Sequence, residues 1–331
     1  MHSNTCKGHA SGRRPTGPAS GLGIDPHGAK QLLRDRTRHI AGLYVVVPPL
    51  VLGALELHTA RADAPLEAEF TRGALATADF GDARLRGAEN RLSFRGPATL
   101  AGDGEFRWAL DYAYQRYEYS GLASRNRDLH RLEVPLNWQS DAAYSWTTEL
   151  RPVVASSSNV FKELWSRGSS DDLMLHGRVT RLYVPEGEGW GWRLGVARDD
   201  AFGQEHVYPV GAVLHEAGRL RAAYGWPETQ LAWQATPQLD LGAEIGPAGA
   251  RWHVVSDERD GAEFFYELRA WRAGGSVQWR PMARWQVTAR AGVEFDRRHR
   301  FEDDEGAQVN RAADDAGYAE LSVAYRFTQR P

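Results

Sequence analysis

From residue 105 onward the side chains alternate between apolar and polar, one residue at a time, and this period of two constrains the fold more than any other feature. Successive side chains of a strand point to opposite faces, whereas a helix returns to one face every third or fourth residue. Phe106, Trp108, Leu110, Tyr112 and Tyr114 alternate with Arg107, Ala109, Asp111, Ala113 and Gln115. Leu132, Val134, Leu136 and Trp138 then alternate with Arg131, Glu133, Pro135, Asn137 and Gln139, and Tyr144, Trp146, Thr148 and Leu150 with Ser145, Thr147, Glu149 and Arg151. Similar segments follow at about 172–184, 190–198, 207–215, 219–226, 229–236 and 238–255, the last kinked at Gly246-Pro247, and then at about 263–280, 284–296 and 317–327. These make twelve strands.

The connections alternate in length as well. Tight ones fall near Ser140-Asp141, Pro185 to Gly189, Glu216 to Gly218, Thr236-Pro237 and Pro281-Met282. Longer polar ones run over Ser120 to Arg127, Ser156 to Asp171, Asp199 to His206, Ser256 to Ala262 and the acidic stretch Arg297 to Ala316, with the short Pro227-Glu228 as an exception. A sheet with short turns on one side and long loops on the other is the layout of a barrel in a membrane. Residues 65–104 are less regular and read as a periplasmic lead or a segment tucked into the lumen, with a short strand at Arg91 to Arg95 as an alternative.

Soluble sandwiches alternate too, so other features must decide between them and a barrel. Trp and Tyr repeatedly end the apolar faces, as at Tyr114, Trp138, Trp190 and Tyr325, which suits an interfacial girdle. The chain holds 12 Trp, 12 Tyr and 34 Gly at a mean hydropathy of −0.52, and no long apolar run follows residue 57, which excludes a bundle of membrane helices. The expected fold is all-β: a transmembrane antiparallel up-and-down barrel over 105–331 of about twelve strands, with ten to fourteen compatible with the spacing.

Residues 40–57 form an apolar stretch preceded by Lys30, Arg34, Arg36 and Arg38 and followed by Ala62-Asp63-Ala64. This is the three-part layout of a secretory signal peptide spanning 30–64, with Ala62 and Ala64 marking the cleavage site; Pro48-Pro49 argues against a membrane anchor. Residues 1–29, polar and rich in Gly and Pro, read as a mis-assigned start or a disordered extension. Cys6 is the single cysteine and is lost with the signal peptide, which leaves no thiol for disulfides, metal sites or catalysis. Residues 1–64 carry 8 of the 40 Lys+Arg and 4 of the 43 Asp+Glu, so the remainder is negative, at about −7, and no nucleic-acid partner is expected.

The closing segment puts Leu321, Val323, Tyr325 and Phe327 on one face against Glu320, Ser322, Ala324 and Arg326. A terminal aromatic here resembles the insertion signal of bacterial outer-membrane proteins, carried by Tyr325 and Phe327, although Thr328 to Pro331 extend beyond it. The stretches GWPETQLAW (Gly225 to Trp233), TPQLDLGAEI (Thr236 to Ile245) and VQWRPMARWQVTARAG (Val277 to Gly292), with AELSVAYRF, resemble an uncharacterised family of proteobacterial outer-membrane β-barrel proteins. That resemblance implies a barrel in the outer membrane of a Gram-negative bacterium and brings no catalytic residues. Its expected partners are outer-membrane lipid, lipopolysaccharide and, during biogenesis, the barrel assembly machinery.

The polar faces carry charge of both signs. Arg107, Asp111, Arg131, Glu133, Glu149, Arg151, Arg193, Arg290, Glu294, Glu320 and Arg326 are the candidate lumen charges, with Arg178, Asp240 and Glu244 beside them. In a water-filled pore they would set selectivity; in a narrow one, opposite charges would pair across the lumen and close it. The favoured function is a narrow or gated channel for small polar solutes, ahead of a non-conducting surface-interaction barrel and a lipid-acting enzyme. No catalytic, metal or cofactor motif is legible. His130, His176, His206, His215, His253 and His299 lie outside any such pattern, and Gly187, Gly189 and Gly191 form a turn lacking the helix and Lys of a phosphate loop. The acidic run Glu302 to Glu305 with Asp314-Asp315 reads as a solvated loop, and Asp171-Asp172 and Asp199-Asp200 read as loop ends.

A closed barrel predicts heat-modifiable migration: unheated protein should run ahead of boiled protein on electrophoresis in detergent. A chain that is soluble and monomeric without detergent would contradict the fold.

Overall fold

The computed structural model describes residues 66–327 apart from 123–125, 143 and 185–187. Residues 1–29, the signal segment with Ala62 and Ala64, and Thr328 to Pro331 lie outside the described residues. Residues 65–104 are neither a periplasmic lead nor a lumen segment, because β1 (Glu67–Phe80) and β2 (Ala83–Arg95) are wall strands, followed by the short β3 (Thr99–Ala101). Their outward face carries Arg72, Ala74, Ala88, Arg86 and Arg84 between Phe70 and Leu92, so the apolar alternation there is faint.

Beyond them the alternating segments form strands close to where the pattern placed them. These are β4 (Gly104–Ser120), β5 (Arg127–Glu133), β6 (Leu136–Ser140), β7 (Tyr144–Ser157), β8 (Leu173–Tyr183), β9 (Gly189–Asp199) and β10 (His206–Ala217). After them come β11 (Leu220–Trp226), β12 (Thr229–Thr236), β13 (Leu239–Pro247), β14 (Ala250–Ser256), β15 (Ala262–Met282), β16 (Trp285–Glu302), β17 (Gln308–Ala313) and β18 (Ala316–Arg326). Strands β5 and β6 are one stave interrupted at Pro135, whose missing N–H cannot join the ladder. The barrel has 14 staves rather than about twelve, since β1 and β2 belong to it. It closes where β18 pairs with β1, Glu67 opposite Arg326 and Leu75 opposite Tyr318, whereas a barrel beginning at 105 would have closed on the strand at Phe106 to Tyr119.

Exposed Leu110, Leu150, Leu194, Val213, Leu231, Val277 and Leu321 give the wall an apolar outer face. Exposed Trp108, Trp146, Trp190, Trp233, Trp279 and Trp285 fringe it at the short-turn end. Bare apolar surface of this extent is stable only in lipid, and a closed ladder leaves no strand edge for lipid to penalise.

Above this band, at the long-loop end, the structure departs from a simple cylinder. Strands β13 and β14 share one register against β15, with Pro247 opposite Trp271 and Ala250 opposite Leu268. Yet β14 leaves the wall and reaches the far side, where His253 pairs in parallel with Ser156 of β7. Gly249 sits at the crossing, its N–H bonded to the Ala201 carbonyl at 2.8 Å, and a Cβ there would lie 2.5 Å from that oxygen. On the other flank β17 pairs with the end of β16, and the Asp314 N–H bonds to the Asp79 carbonyl of β1 at 2.9 Å. The expected acidic loop at 297–316 is therefore mostly hairpin. Two of its acids are ion-paired: Glu302 holds Arg259 at 2.7 Å and Asp304 holds Arg127 at 3.2 Å.

Strands β1, β2, β4, β5, β7 and β14 to β17 thus form a narrower upper ring, which we call the roof. Its interior is filled by Phe80, Leu85, Tyr117, Leu129, Val153, Trp252, Tyr266 and Phe301, all buried. Each large side chain withdrawn from water contributes roughly 1.5–3 kcal/mol. A short polar chain threads the core, with the hydroxyls of Tyr119 and Tyr266 2.5 Å apart and the Tyr266 hydroxyl 2.7 Å from His299 Nδ1. Outward-facing Arg298 and Arg300 are exposed, which places this part of β16 beyond the apolar band.

Trp252 is 1% exposed at the centre of the roof. Trp252→Ala should destabilise the roof by about 3–5 kcal/mol. Hydrogen exchange should speed up in β14 and in residues 262–270 of β15, while the fourteen-stave wall keeps its heat-modifiable migration.

Candidate functional site

Beneath the roof lies a polar cavity of about 610 Å³. Its lining rises from Glu69 and Arg95, near the short-turn end, to Trp252 and Leu268 on the roof's underside. Alternation creates it: every stave that turns an apolar side chain to lipid turns the next one inward. Among the described residues the lining holds nine carboxylates and six guanidinium groups.

Two clusters organise this charge. In the first, Arg131 lies between Glu133, two residues along its own strand, and Asp200, which it grips with two bonds of 2.6 and 2.9 Å. Glu133 also meets Arg151 at 3.3 Å, and Arg151 in turn pairs with Glu149. Asp200 comes from the connection between β9 and β10, folded into the lumen. It accepts the Arg251 N–H at 2.9 Å and lies 3.6 Å from His176. Burial alone would raise its carboxyl, but the Arg131 guanidinium prevails and holds it below the usual carboxylate range.

In the second cluster Arg272 is 2.5 Å from Glu294 and also pairs with Glu320, which lies 3.9 Å from Arg290. The Arg272 guanidinium stands 4.5 Å from the centre of the Tyr318 ring. Toward the short-turn end Arg95 joins Glu67 at 2.6 Å and Glu69 at 2.8 Å. Across the lumen, Glu228 from the β11–β12 turn sits 3.7 Å from Arg178 and 3.6 Å from Arg193.

The sequence candidates fall into three groups. Asp111, Arg131, Glu133, Arg151, Arg290 and Glu294 line the cavity. Glu149, Glu320 and Arg193 stand behind it as ion-pair partners. Arg107 and Arg326 sit at the short-turn rim, paired with Glu105 and Glu67. Tyr325 packs edge-on against both Trp285 and Phe327 at 4.9 Å, and the Phe327 N–H bonds to the Leu66 carbonyl at 2.8 Å, so both aromatics lie at the closure seam.

Sequence reasoning missed Glu67, Glu69, Glu89, Arg91 and Arg95, because their segment was taken off the wall. The period-two charges in Glu67-x-Glu69 and Glu89-x-Arg91 were the available signal. Asp200 carried no such signal, being one loop acid among many.

A separate arrangement lies on the outer face of the wall. His130 faces outward beside Tyr112 and Tyr114. Its Nε2 is 2.6 Å from Ser158 Oγ, at the start of the one-turn helix α1 (Ser158–Lys162), and its Nδ1 is 2.7 Å from the Tyr112 hydroxyl. Phe161 stacks on the imidazole at 4.8 Å. A hydroxyl, a base and a third group orienting that base are the parts of an activated nucleophile.

The geometry defines an outer-membrane type of β-barrel with a charged, roofed lumen. No protein-family model matches the chain, so the family resemblance drawn from its strand segments finds no support there. No curated protein matches it in sequence. Among solved structures it is similar to an outer membrane channel from Pseudomonas putida F1, at 9% identity and TM-score 0.47, over 81% of this chain and 97% of that one. It is also similar to the toluene transporter TodX of P. putida, at 12% identity and TM-score 0.37, over 80% and 91%. A third, LpxR from Salmonella typhimurium, shows 11% identity and TM-score 0.36 over 79% and 100%. The similarity is one of general outline only.

Asp200→Asn should leave the buried Arg131 half-paired and cost about 3–5 kcal/mol, while Asp200→Asn combined with Arg131→Met should recover much of the loss. Thermal unfolding in detergent, followed by circular dichroism, measures both.

Proposed function

We propose that the protein is a narrow, gated channel for small polar solutes in the outer membrane of a Gram-negative bacterium, with the roof as its gate. The observation that carries this reading is the junction of two unlike interiors. A polar, charge-lined cavity of about 610 Å³ ends abruptly at an apolar roof held by one hairpin that has left the wall. A barrel needing only rigidity would gain nothing from a wet interior of this size, since apolar filling avoids the cost of burying charge. The excess of carboxylates in the lining favours cations over anions.

The test is conductance in planar bilayers. Excising residues 250–268 leaves Gly249-Arg269 as a two-residue turn between β13 and β15. The shortened barrel should conduct several-fold more than the intact one and pass cations preferentially. A variant that inserts, remains heat-modifiable and conducts no better than the intact protein would sink the gate.

The roof also carries a pH dependence. Burial, then the nearby Arg297, push His299 down to about 3, and its neighbours are the Tyr266 hydroxyl and the rings of Phe80 and Tyr117. Because the folded value lies below the unfolded one of about 6.5, only the unfolded roof takes up a proton between them. Stability is intact above about 6.5 and falls by ~1.4 kcal/mol per pH unit toward 3. Channel opening should therefore rise between pH 7 and pH 4.5, and His299→Phe should flatten that rise.

A second reading is favoured by the Ser158, His130 and Tyr112 triplet, which faces the lipid side where an acyl ester of an outer-leaflet lipid would lie. Ser158 would attack the ester carbonyl as His130 takes its proton; the ester C–O bond would break as His130 returns that proton to the departing alcohol, and water would then hydrolyse the acyl-serine to free fatty acid. Release of fatty acid from phospholipid micelles, abolished by Ser158→Ala with the fold intact, would support it; equal rates in both proteins would exclude it.

A further inference from the structure

We propose that the roof carries a divalent transition-metal site, formed by His253 of β14, Glu263 of β15 and Asp171 of the connection leading into β8. Each residue offers one ligand atom, and the three atoms lie within 4.8 Å of one another. His253 is the decisive member. Its side chain is 2% exposed, and its Nδ1–H donates to Asp172 Oδ1 at 3.0 Å. That bond fixes the tautomer and leaves the lone pair on Nε2, which has no hydrogen-bond partner among the described residues. The nearest acid oxygen, Glu263 Oε2, is 3.6 Å from Nε2, too far for a hydrogen bond and the right separation for two ligands of one ion.

Asp172 completes the arrangement from behind. It is fully buried, and its second oxygen accepts the Ser169 N–H at 2.7 Å. A carboxylate that orients an imidazole while the opposite nitrogen binds metal is the usual support of a histidine ligand. With bonds of about 2.0–2.2 Å, tetrahedral ligands sit about 3.4 Å apart. Asp171 and Glu263 are both exposed and can close the remaining ångström by rotating their side chains.

One imidazole and two carboxylates suit zinc or manganese; calcium prefers six to eight oxygens. Three protein ligands leave coordination positions for water. The ligands come from two separate pieces of chain, so a bound ion would pin the crossing hairpin to the β7–β8 connection. That seam already carries the Asn159 side-chain bond to the Val255 carbonyl at 2.8 Å and the pairing of Arg167 with Asp257. The site does not depend on whether the lumen conducts.

The test is zinc titration of tag-free barrel in detergent, stripped with chelator, followed by calorimetry. The expected result is one zinc per chain with Kd on the order of micromolar or tighter. Asp171→Asn and Glu263→Gln, both at exposed positions that leave the fold intact, should each weaken binding at least ~10-fold, and Asp172→Asn by ~10–100-fold. Hydrogen exchange in β14 should slow when zinc is added to the intact protein and not to Glu263→Gln. Absence of saturable binding, affinity unchanged in the Asp171 and Glu263 variants, or calcium binding more tightly than zinc would each overturn the proposal.

Discussion

Closure of the backbone ladder is the constraint from which the other features follow. Lipid offers nothing to an unpaired N–H or C=O, so β18 must find β1, and it does so over nine consecutive residue pairs from Glu67–Arg326 to Leu75–Tyr318. Once that seam fixes the register, the face of every side chain is fixed with it. A slip of one residue would turn Glu320 and Arg290 to lipid and Leu321 and Ala289 to the lumen. The two ion-pair clusters are therefore consequences of closure: Arg272 meets Glu294 and Glu320 because three neighbouring staves present the same parity at the same height.

Closure also makes the roof possible. Within the lipid band all fourteen staves are needed, since each edge must be covered. Above the band, water can satisfy backbone groups, and the short staves β8 to β12 end there. Strand β14 can then abandon its place in the wall and pair with β7. Crossing brings Trp252, Val254, Tyr266 and Leu268 against Phe80, Leu85 and Leu129, and the burial of these surfaces holds the narrower ring together. The lumen thus has a wet, charged lower part and a dry upper part. Asp200, Arg251 and the Gly249 crossing mark the boundary between them.

Alternation gave the all-β class, the boundaries of most strands and the inward parity of the charged residues from Asp111 to Glu320, while Trp and Tyr at the ends of the apolar faces chose the barrel over a sandwich. Each of these depends on a residue and its near neighbours in sequence, because strand geometry sends adjacent side chains to opposite faces. Where the outward face was weakly apolar, as from Arg72 to Arg86, the same reasoning lost two staves and miscounted the barrel. Tertiary structure alone decided the rest: that β14 leaves the wall, that Asp200 folds inward to Arg131, that His253 is locked by Asp172, and that Ser158 meets His130. All four depend on where a loop or strand end lands across the molecule. That position is set by packing between segments as far apart as Asp172 and His253, and no local period records it.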